Sequence, residues 1–397
     1  MTQPRTRRDV FRLAGLSAAG LALAACGVQG QKQAPPKPDA VKDFWSKQKK
    51  NGKVVFANWP EYMPPDQAPL KKFQQATGIS YEYKEVIQEN AEFFGKSEPV
   101  LRAGQSLGYD IVVMTNGVQL QKMIQLGYVV PLDHSQLPNF AANAGEKYKQ
   151  RSYDPGNQYT VPYTSGITGI AYNTDHVKED ITSIKALFDP KYKGRIGMMS
   201  DAQEIGNFGM FALGIDPEKS TQADWEKAGE LLKKQRDDGL VRKYYDQSYI
   251  DAVSKGDVWV TMAWSGDVFQ RQLAGEPVKF VVPEEGGTIW TDNMLIPKGA
   301  ANPVDALMLM DYLYQPAVAA ELEEYIQFIS PVPAVKDILQ QKAATLKGED
   351  KETLETMVGS PLIFPSEADY AKLRSYRTLT TAEEQIFNRV FQSITQA

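Results

Sequence analysis

Three of the six tryptophans stand at or just beyond the end of an expected strand with an acidic residue two or three positions further on. They are Trp59 in Asn58-Trp59-Pro60-Glu61-Tyr62, Trp264 in Trp264-Ser265-Gly266-Asp267 and Trp290 in Trp290-Thr291-Asp292. An indole face offers a negative quadrupole and a flat wall for methylene groups, while a nearby carboxylate accepts N⁺–H hydrogen bonds, so the pairing suits an organic ammonium. A core tryptophan whose N–H is satisfied by a local carboxylate gives the same pattern. All three are expected at or just beyond strand ends, where open α/β sheets place their ligands. A fourth element is Ser200-Asp201-Ala202-Gln203-Glu204. Its S-x-x-Q spacing predicts a capping box on Ser200 and a helix starting there, with Asp201 and Glu204 sharing one face. The two acids read either as ordinary first-turn residues or as a two-pronged clamp for an ammonium group.

Motifs for catalysis are missing: the sequence has no GxxxxGK[ST], no GxGxxG after a strand, no HExxH and no GxSxG elbow, since Gly104-Gln105-Ser106-Leu107-Gly108 stands between an expected helix and an expected strand rather than on a strand-to-helix turn. His134 and His176 lie in polar, turn-like surroundings and read as surface residues. One cysteine excludes an internal disulfide, and with two histidines it excludes a Cys/His zinc cluster. A net charge of −5 argues against a nucleic-acid binder. The expectation is a protein that is not an enzyme and needs no cofactor.

Stepping outward to the elements, short apolar runs alternate with amphipathic stretches from Lys53 onward. Strands are expected at 54–56, 79–86, 110–114, 167–172, 195–199, 258–263 and 278–282. Helices are expected at 66–77 (closed by Gly78), 92–103, 222–238, 302–314, 316–325 and 381–394. Strand–helix–strand order implies parallel sheets covered by helices, an α/β class, and a span of this length suggests two lobes.

The N-terminus carries a separate message. Thr6-Arg7-Arg8-Asp9-Val10-Phe11-Arg12 precedes a short run of leucine and small residues, Leu13 to Ala25, too short for the ~20 residues of a membrane-spanning helix. The only cysteine follows at once, in Leu23-Ala24-Ala25-Cys26, where lipidation needs a thiolate. Residues 1–25 are therefore expected to be a twin-arginine-like lipoprotein signal, Cys26 the lipidated residue and 26–52 a tether. Removing the signal takes away four arginines and one aspartate, which moves the net charge from −5 to −8. An acidic, exported, membrane-tethered protein favours cationic partners.

With these residues in view, the sequence resembles the bacterial spermidine/putrescine-binding proteins of ABC importers. The resemblance runs from about Lys53 to Pro333 through NWPEY (58–62), YDIVV (109–113), YKGRIGMMSDAQE (192–204), MAWSGD (262–267), EEGGTIWTDNMLIP (284–297) and SPVP (330–333). It implies a two-lobe periplasmic-binding-protein fold of type II character, with crossover strands near Gly166 and Trp290 and a ligand cleft between the lobes. Lobe 1 would hold residues 53–166 and 291–338, and lobe 2 residues 167–290 and 339–397. It also implies a site in which Trp59, Glu61 and Tyr62 form one wall, with Thr115 nearby. Asp201 and Glu204 would hold ammonium groups, Trp264 and Trp290 would stack on methylenes, and Asp292 would bind an inner ammonium. The implied partners are a polyamine and the ABC permease subunits, with the receptor a monomer on the outer face of the cytoplasmic membrane. Two departures stand out: Thr115-Asn116-Gly117 replaces a motif with an aromatic, and Ser330 stands where an aromatic precedes PxP, leaving Phe328 or Tyr325 as substitutes. A receptor of the same fold for an amino acid or 4-aminobutyrate is the alternative; it would need Arg195 or Lys193 at the site.

Overall fold

The computed structural model describes residues 38–149 and 151–395; the expected signal and Cys26 lie outside them. Ten strands form one mixed sheet: β1 (Lys53–Asn58), β2 (Ser80–Glu85), β3 (Ile111–Thr115), β4 (Thr160–Asn173), β5 (Ile196–Met199), β6 (Val241–Tyr245), β7 (Val260–Trp264), β8 (Val278–Val281), β9 (Gly287–Leu295) and β10 (Leu373–Arg374). Their order is β2-β1-β3-β9-β4-β7-β5-β6, with β8 on β4 and β10 on β9. β1, β2 and β3 are parallel, as are β5, β6 and β7, while β4 and β9 run antiparallel to each other and to β3, β7 and β8, and β10 lies parallel to β9.

Two hydrophobic centres hang on this sheet. Period-2 alternation splits the first three strands between its faces: Val54, Phe56, Ile111 and Val113 enter one apolar cluster, and Ala57, Val112 and Met114 another. Ile170, Tyr172, Ile196, Met198, Val260 and Met262 build the second lobe's core with the helices Ala202–Ala212, Gln222–Asp237 and Thr381–Thr395. β4 has 14 residues, all buried, about 46 Å of strand at ~3.3 Å per residue. That length lets Val161 and Tyr163 serve the first core and Ile170 and Tyr172 the second. The register of β4 shifts between Pro162 and Thr164, since proline cannot donate to the ladder and is accommodated at bulges. Gly166 pairs with Trp290 midway along the two long strands.

Three expectations are corrected. The tether is shorter than 26–52: Pro38–Ser46 is a helix whose Trp45 is buried in the first core, with its Nε1 donating to Pro131 O at 2.8 Å. The chain does not return to the second lobe at 339. Leu339, Ala343, Leu354, Met357 and Ile363 pack into the first core, because the helices Val335–Thr345 and Gly348–Gly359 turn their apolar residues onto it. The return comes later, where Leu373 pairs with Gly287 and Leu379 enters the second core. Finally, Trp290 lies inside β9 rather than at a strand end.

The crossing at Gly166 is tight. A Cβ there would overlap the Trp290 ring and lie 2.8 Å from Phe328. Gly166→Ala should therefore displace Trp290 or destabilise the fold by about 1–3 kcal/mol, read as a lower urea midpoint and an altered tryptophan emission spectrum.

Candidate functional site

Trp59, Tyr62, Thr115, Asp201, Glu204, Trp264, Trp290 and Asp292 all line one cleft. Each arrives from an element end or a crossover strand. Trp59 and Tyr62 follow β1, Thr115 ends β3, and Asp201 and Glu204 open the helix after β5. Trp264 ends β7, and Trp290 and Asp292 sit on β9. Glu61 is the exception: it is exposed and outside the lining. Its φ of 60° places it in a left-handed turn, and the flanking Trp59 and Tyr62 face the cleft instead. Its charge still reaches Asp267. Phe328 supplies the substitute aromatic wall, and Tyr325 does not line the cleft.

The walls fit edge to face. Trp290 packs against Phe328 at 5.2 Å and 64° and against Trp264 at 6.5 Å and 77°. Tyr62 lies 6.2 Å from Phe328 and 6.5 Å from Trp59. Like Gly166, Gly266 permits the approach, since a Cβ there would be 2.7 Å from Phe328. The indole N–H groups of Trp59 and Trp290 are buried without a hydrogen-bond partner.

The carboxylates are held by neutral donors. Asp292 pairs in register with Thr115 on β3 and Thr164 on β4. Its Oδ1 accepts from Thr115 Oγ1 at 2.6 Å and its Oδ2 from Tyr62 Oη at 2.7 Å. Glu204 Oε1 accepts from Thr168 Oγ1 at 2.6 Å and Trp264 Nε1 at 3.2 Å. Glu204 is 2% exposed, and its Oε2 accepts no hydrogen bond, although the Tyr376 hydroxyl is an electrostatic neighbour. Asp267 accepts from Tyr249 Oη at 2.7 Å, and that same hydroxyl receives the Trp264 amide at 2.9 Å. The capping box expected on Ser200 is replaced by Asp201 as N-cap. Asp201 Oδ1 accepts from the amides of Gln203 and Glu204 at 2.8 and 3.0 Å, and Gln203 reaches across to accept from Val118 N at 3.0 Å. A carboxylate at the cap satisfies two orphan amides that the hydroxyl would have shared.

Burial dominates the acidities. Desolvation pushes Asp292, Asp267 and Asp201 up to about 6 and Glu204 up to about 7. The hydroxyls of Thr115 and Tyr62 pull Asp292 back only in part. Among the described residues no Lys, Arg or His lines the cleft, whereas Glu89, Asp201, Glu204, Asp246, Asp267 and Asp292 do. Arg195 donates to Asp257 O at 3.1 Å and covers Trp259, and Lys193 lies beside Gly239; neither serves the site. His134 and His176 are also elsewhere, the first bonded to Asn157 O and the second stacked on Trp259.

Sequence reasoning missed Glu89, Asp246, Gln203 and Tyr376, and it quoted Asp267 without giving it a role in the site. Only Asp267 carried a signal, three residues after Trp264.

A two-lobed protein with a ligand cleft at the crossover strands is the class this geometry defines. Residues 68–349 match the family described as bacterial extracellular solute-binding protein. The chain is 32% identical over 308 residues to the spermidine/putrescine-binding periplasmic protein of Escherichia coli, covering 77% of this chain and 85% of that one. It is 28% identical over 360 residues to the putrescine/agmatine-binding protein of Pseudomonas aeruginosa, covering 86% and 91%. The fold is similar to that of the spermidine/putrescine ABC transporter substrate-binding protein of Streptococcus pneumoniae, with a TM-score of 0.71, 24% identity, and coverage of 87% of this chain and 99% of that one. The chain belongs to the bacterial extracellular solute-binding proteins, in the spermidine/putrescine-binding family.

Glu204 gives a test of the electrostatics. Its folded-state pKa of about 7 exceeds the ordinary 4.5, so the folded state holds a proton that the unfolded state has lost. Stability of the ligand-free protein should fall as pH rises from about 4.5 to about 7. Glu204→Gln should remove that loss, raising ligand-free stability at pH 7.5 by up to about 3 kcal/mol and hardly at all at pH 4.5. Thermal melts of both proteins across this range measure it.

Proposed function

We propose that this protein is the extracytoplasmic receptor of an ABC importer for polyamines, capturing putrescine- or spermidine-like amines between its lobes and passing them to membrane permease subunits. The observation that carries the reading is the cleft itself: among the described residues its lining has six carboxylates, four tryptophan or phenylalanine rings and no basic side chain. Asp292, oriented by Tyr62 and Thr115, takes one ammonium. Glu204 takes another, Asp201 stands ready for a further ammonium next to it, and Asp267 adds negative charge beside Trp264. The rings of Trp264, Trp290 and Phe328 cover the methylenes. The names of the relatives point to the same ligand class.

A zwitterion receptor needs a cation for the ligand's carboxylate, and Arg195 and Lys193 lie away from the cleft. The role is capture and delivery without turnover. The segment before Pro38 supports attachment through a lipid on Cys26, which keeps the receptor on the outer face of the cytoplasmic membrane as a monomer. The units that close on the ligand are residues 38–166 with 291–371, and 167–290 with 372–395.

Titrating the purified protein with putrescine, spermidine and 4-aminobutyrate, followed by tryptophan fluorescence and calorimetry, tests this reading. A saturable response to at least one amine and none to the zwitterion is expected. Asp292→Asn should weaken amine binding by about 2–3 kcal/mol, roughly 30- to 150-fold, because a desolvated ammonium loses its charged partner. Unchanged affinity in that variant, or a response to 4-aminobutyrate alone, would overturn the assignment.

A further inference from the structure

The two ends of the cleft differ in chemistry. Near the crossover strands it is aromatic, with Trp290, Phe328, Trp264 and Tyr62 in mutual contact. The other end is made of Gln88, Glu89 and Asn90 after β2, Gln119, and Asp201 and Gln247 from the second lobe. It presents amides and acids, and Tyr245 and Asp246 line the cleft beside Gln247.

Glu89 and Asp201 come to this end from opposite lobes and are built alike. Glu89 caps the helix Asn90–Arg102, its Oε1 accepting from Ala91 N at 2.9 Å and its Oε2 from Glu92 N at 2.7 Å. Asp201 caps Ala202–Ala212 through Oδ1 alone. Glutamate is not among the preferred N-cap residues, which are Ser, Thr, Asp and Asn, so capping alone does not account for it. The charge of Glu89 is felt at Asp201 and opposes its ionisation. Among the described residues no lysine or arginine pairs with either acid, and the nearby Lys96 pairs with Glu92 instead. One step deeper, Glu204 is almost wholly buried with its Oε2 unpartnered and lines the same cleft. Glu89, Asp201 and Glu204 thus form a run of negative groups leading from the rim to the aromatic chamber, drawn from both lobes and lacking a counter-charge.

We propose that Glu89 selects ligand length: with Asp201 it holds the third ammonium of a triamine at the cleft rim, while the aromatic chamber takes the rest of the chain between Glu204 and Asp292. This rests on the amine-receptor reading given above. A cation between Glu89 and Asp201 converts a repulsion across the cleft into a bridge between the lobes. A diamine confined to the chamber leaves that repulsion in place, so the triamine binds more tightly.

The test is calorimetric titration of the wild-type chain and Glu89→Gln with spermidine and with putrescine. Glutamine keeps the side-chain length and an oxygen for the helix cap. Spermidine affinity should fall by about tenfold and putrescine affinity by less than about twofold. Glu89→Ser, which keeps a capping oxygen of a preferred type, should give the same selective loss. Equal losses for both amines in the two variants would mean that Glu89 acts through the helix or the lobe geometry, and would overturn the proposal. So would unchanged spermidine affinity while wild type binds both amines. A wild-type chain that takes neither amine overturns the receptor reading itself, a result distinct from either of these.

Discussion

The constraint on which this structure depends is negative charge held out of water without a counter-ion. Asp292, Asp267 and Glu204 are each under a tenth exposed, and a buried, uncompensated charge costs several kcal/mol. Their partners are hydroxyls and an indole N–H. Such neutral donors fix where each oxygen points while leaving the net charge intact. An arginine at any of these positions would satisfy the fold better and abolish the attraction for a cation. The raised acidities of Asp201, Glu204, Asp267 and Asp292 all have desolvation as their largest cause. The ligand-free protein is thus left short of positive charge at the place where a ligand must bind.

The fold supplies the stability that this arrangement removes. Two cores flank the site, and the chain passes between them along β4, β9 and the segment beyond residue 371. Asp292, Tyr62 and Phe328 belong with the first, and Glu204, Asp201 and Asp267 with the second. A ligand touching both sets couples its own binding to the relative position of the lobes, the hinge mode of closure. The small cluster of Ile167, Ile289, Ile329 and Leu373 lies along the connecting strands. It keeps water from the backbone of the crossing without joining either core. Gln203, which accepts from Val118 N, and Lys122, which pairs with Glu384 at 2.5 Å, add contacts from one side of the cleft to the other.

How far the sequence reveals this depends on what kind of information each residue carries. Apolar runs as short as Ile111–Met114, β-branched and bounded by Gly108 and Gly117, read as buried strands, and Gly78, with φ 72°, marks the end of its helix as glycines at that position do. The first half of β4 was not visible, because Thr160-Val161-Pro162-Tyr163-Thr164 mixes polar residues with a proline and becomes a strand only through β9. In the site, tryptophan–carboxylate adjacency identified Asp292 because β9 presents both residues to the cleft. The same adjacency misled at Glu61, where a left-handed turn sends the acid to the surface. Glu89 and Tyr376 carry no local signal at all: chain segments far apart in sequence bring them to the cleft, and only tertiary packing does so. The spacing pointed to Ser200 as the cap and the structure uses Asp201, since which side chain reaches the free amides is a matter of backbone geometry rather than composition.

The relative weight of rings and charges follows from magnitudes. A cation–π contact contributes about 1 kcal/mol, somewhat more when desolvated, so three rings supply about 3 of the ~8 kcal/mol that a micromolar ligand needs. The rings' larger role is to exclude water. Charges about 4 Å apart attract several-fold more strongly at an effective dielectric near 20 than in bulk water, and the walls of Trp264, Trp290 and Phe328 create that difference around Glu204 and Asp292. An incoming ammonium also relieves a strain already present, because the carboxylates that it neutralises were disfavoured as anions beforehand. Part of the attraction is therefore stored in the empty cleft by folding, and it disappears if the acids are protonated. Capture should weaken in an acidic medium even though every aromatic contact is preserved, and that dependence separates a charge-driven site from one held together by ring stacking.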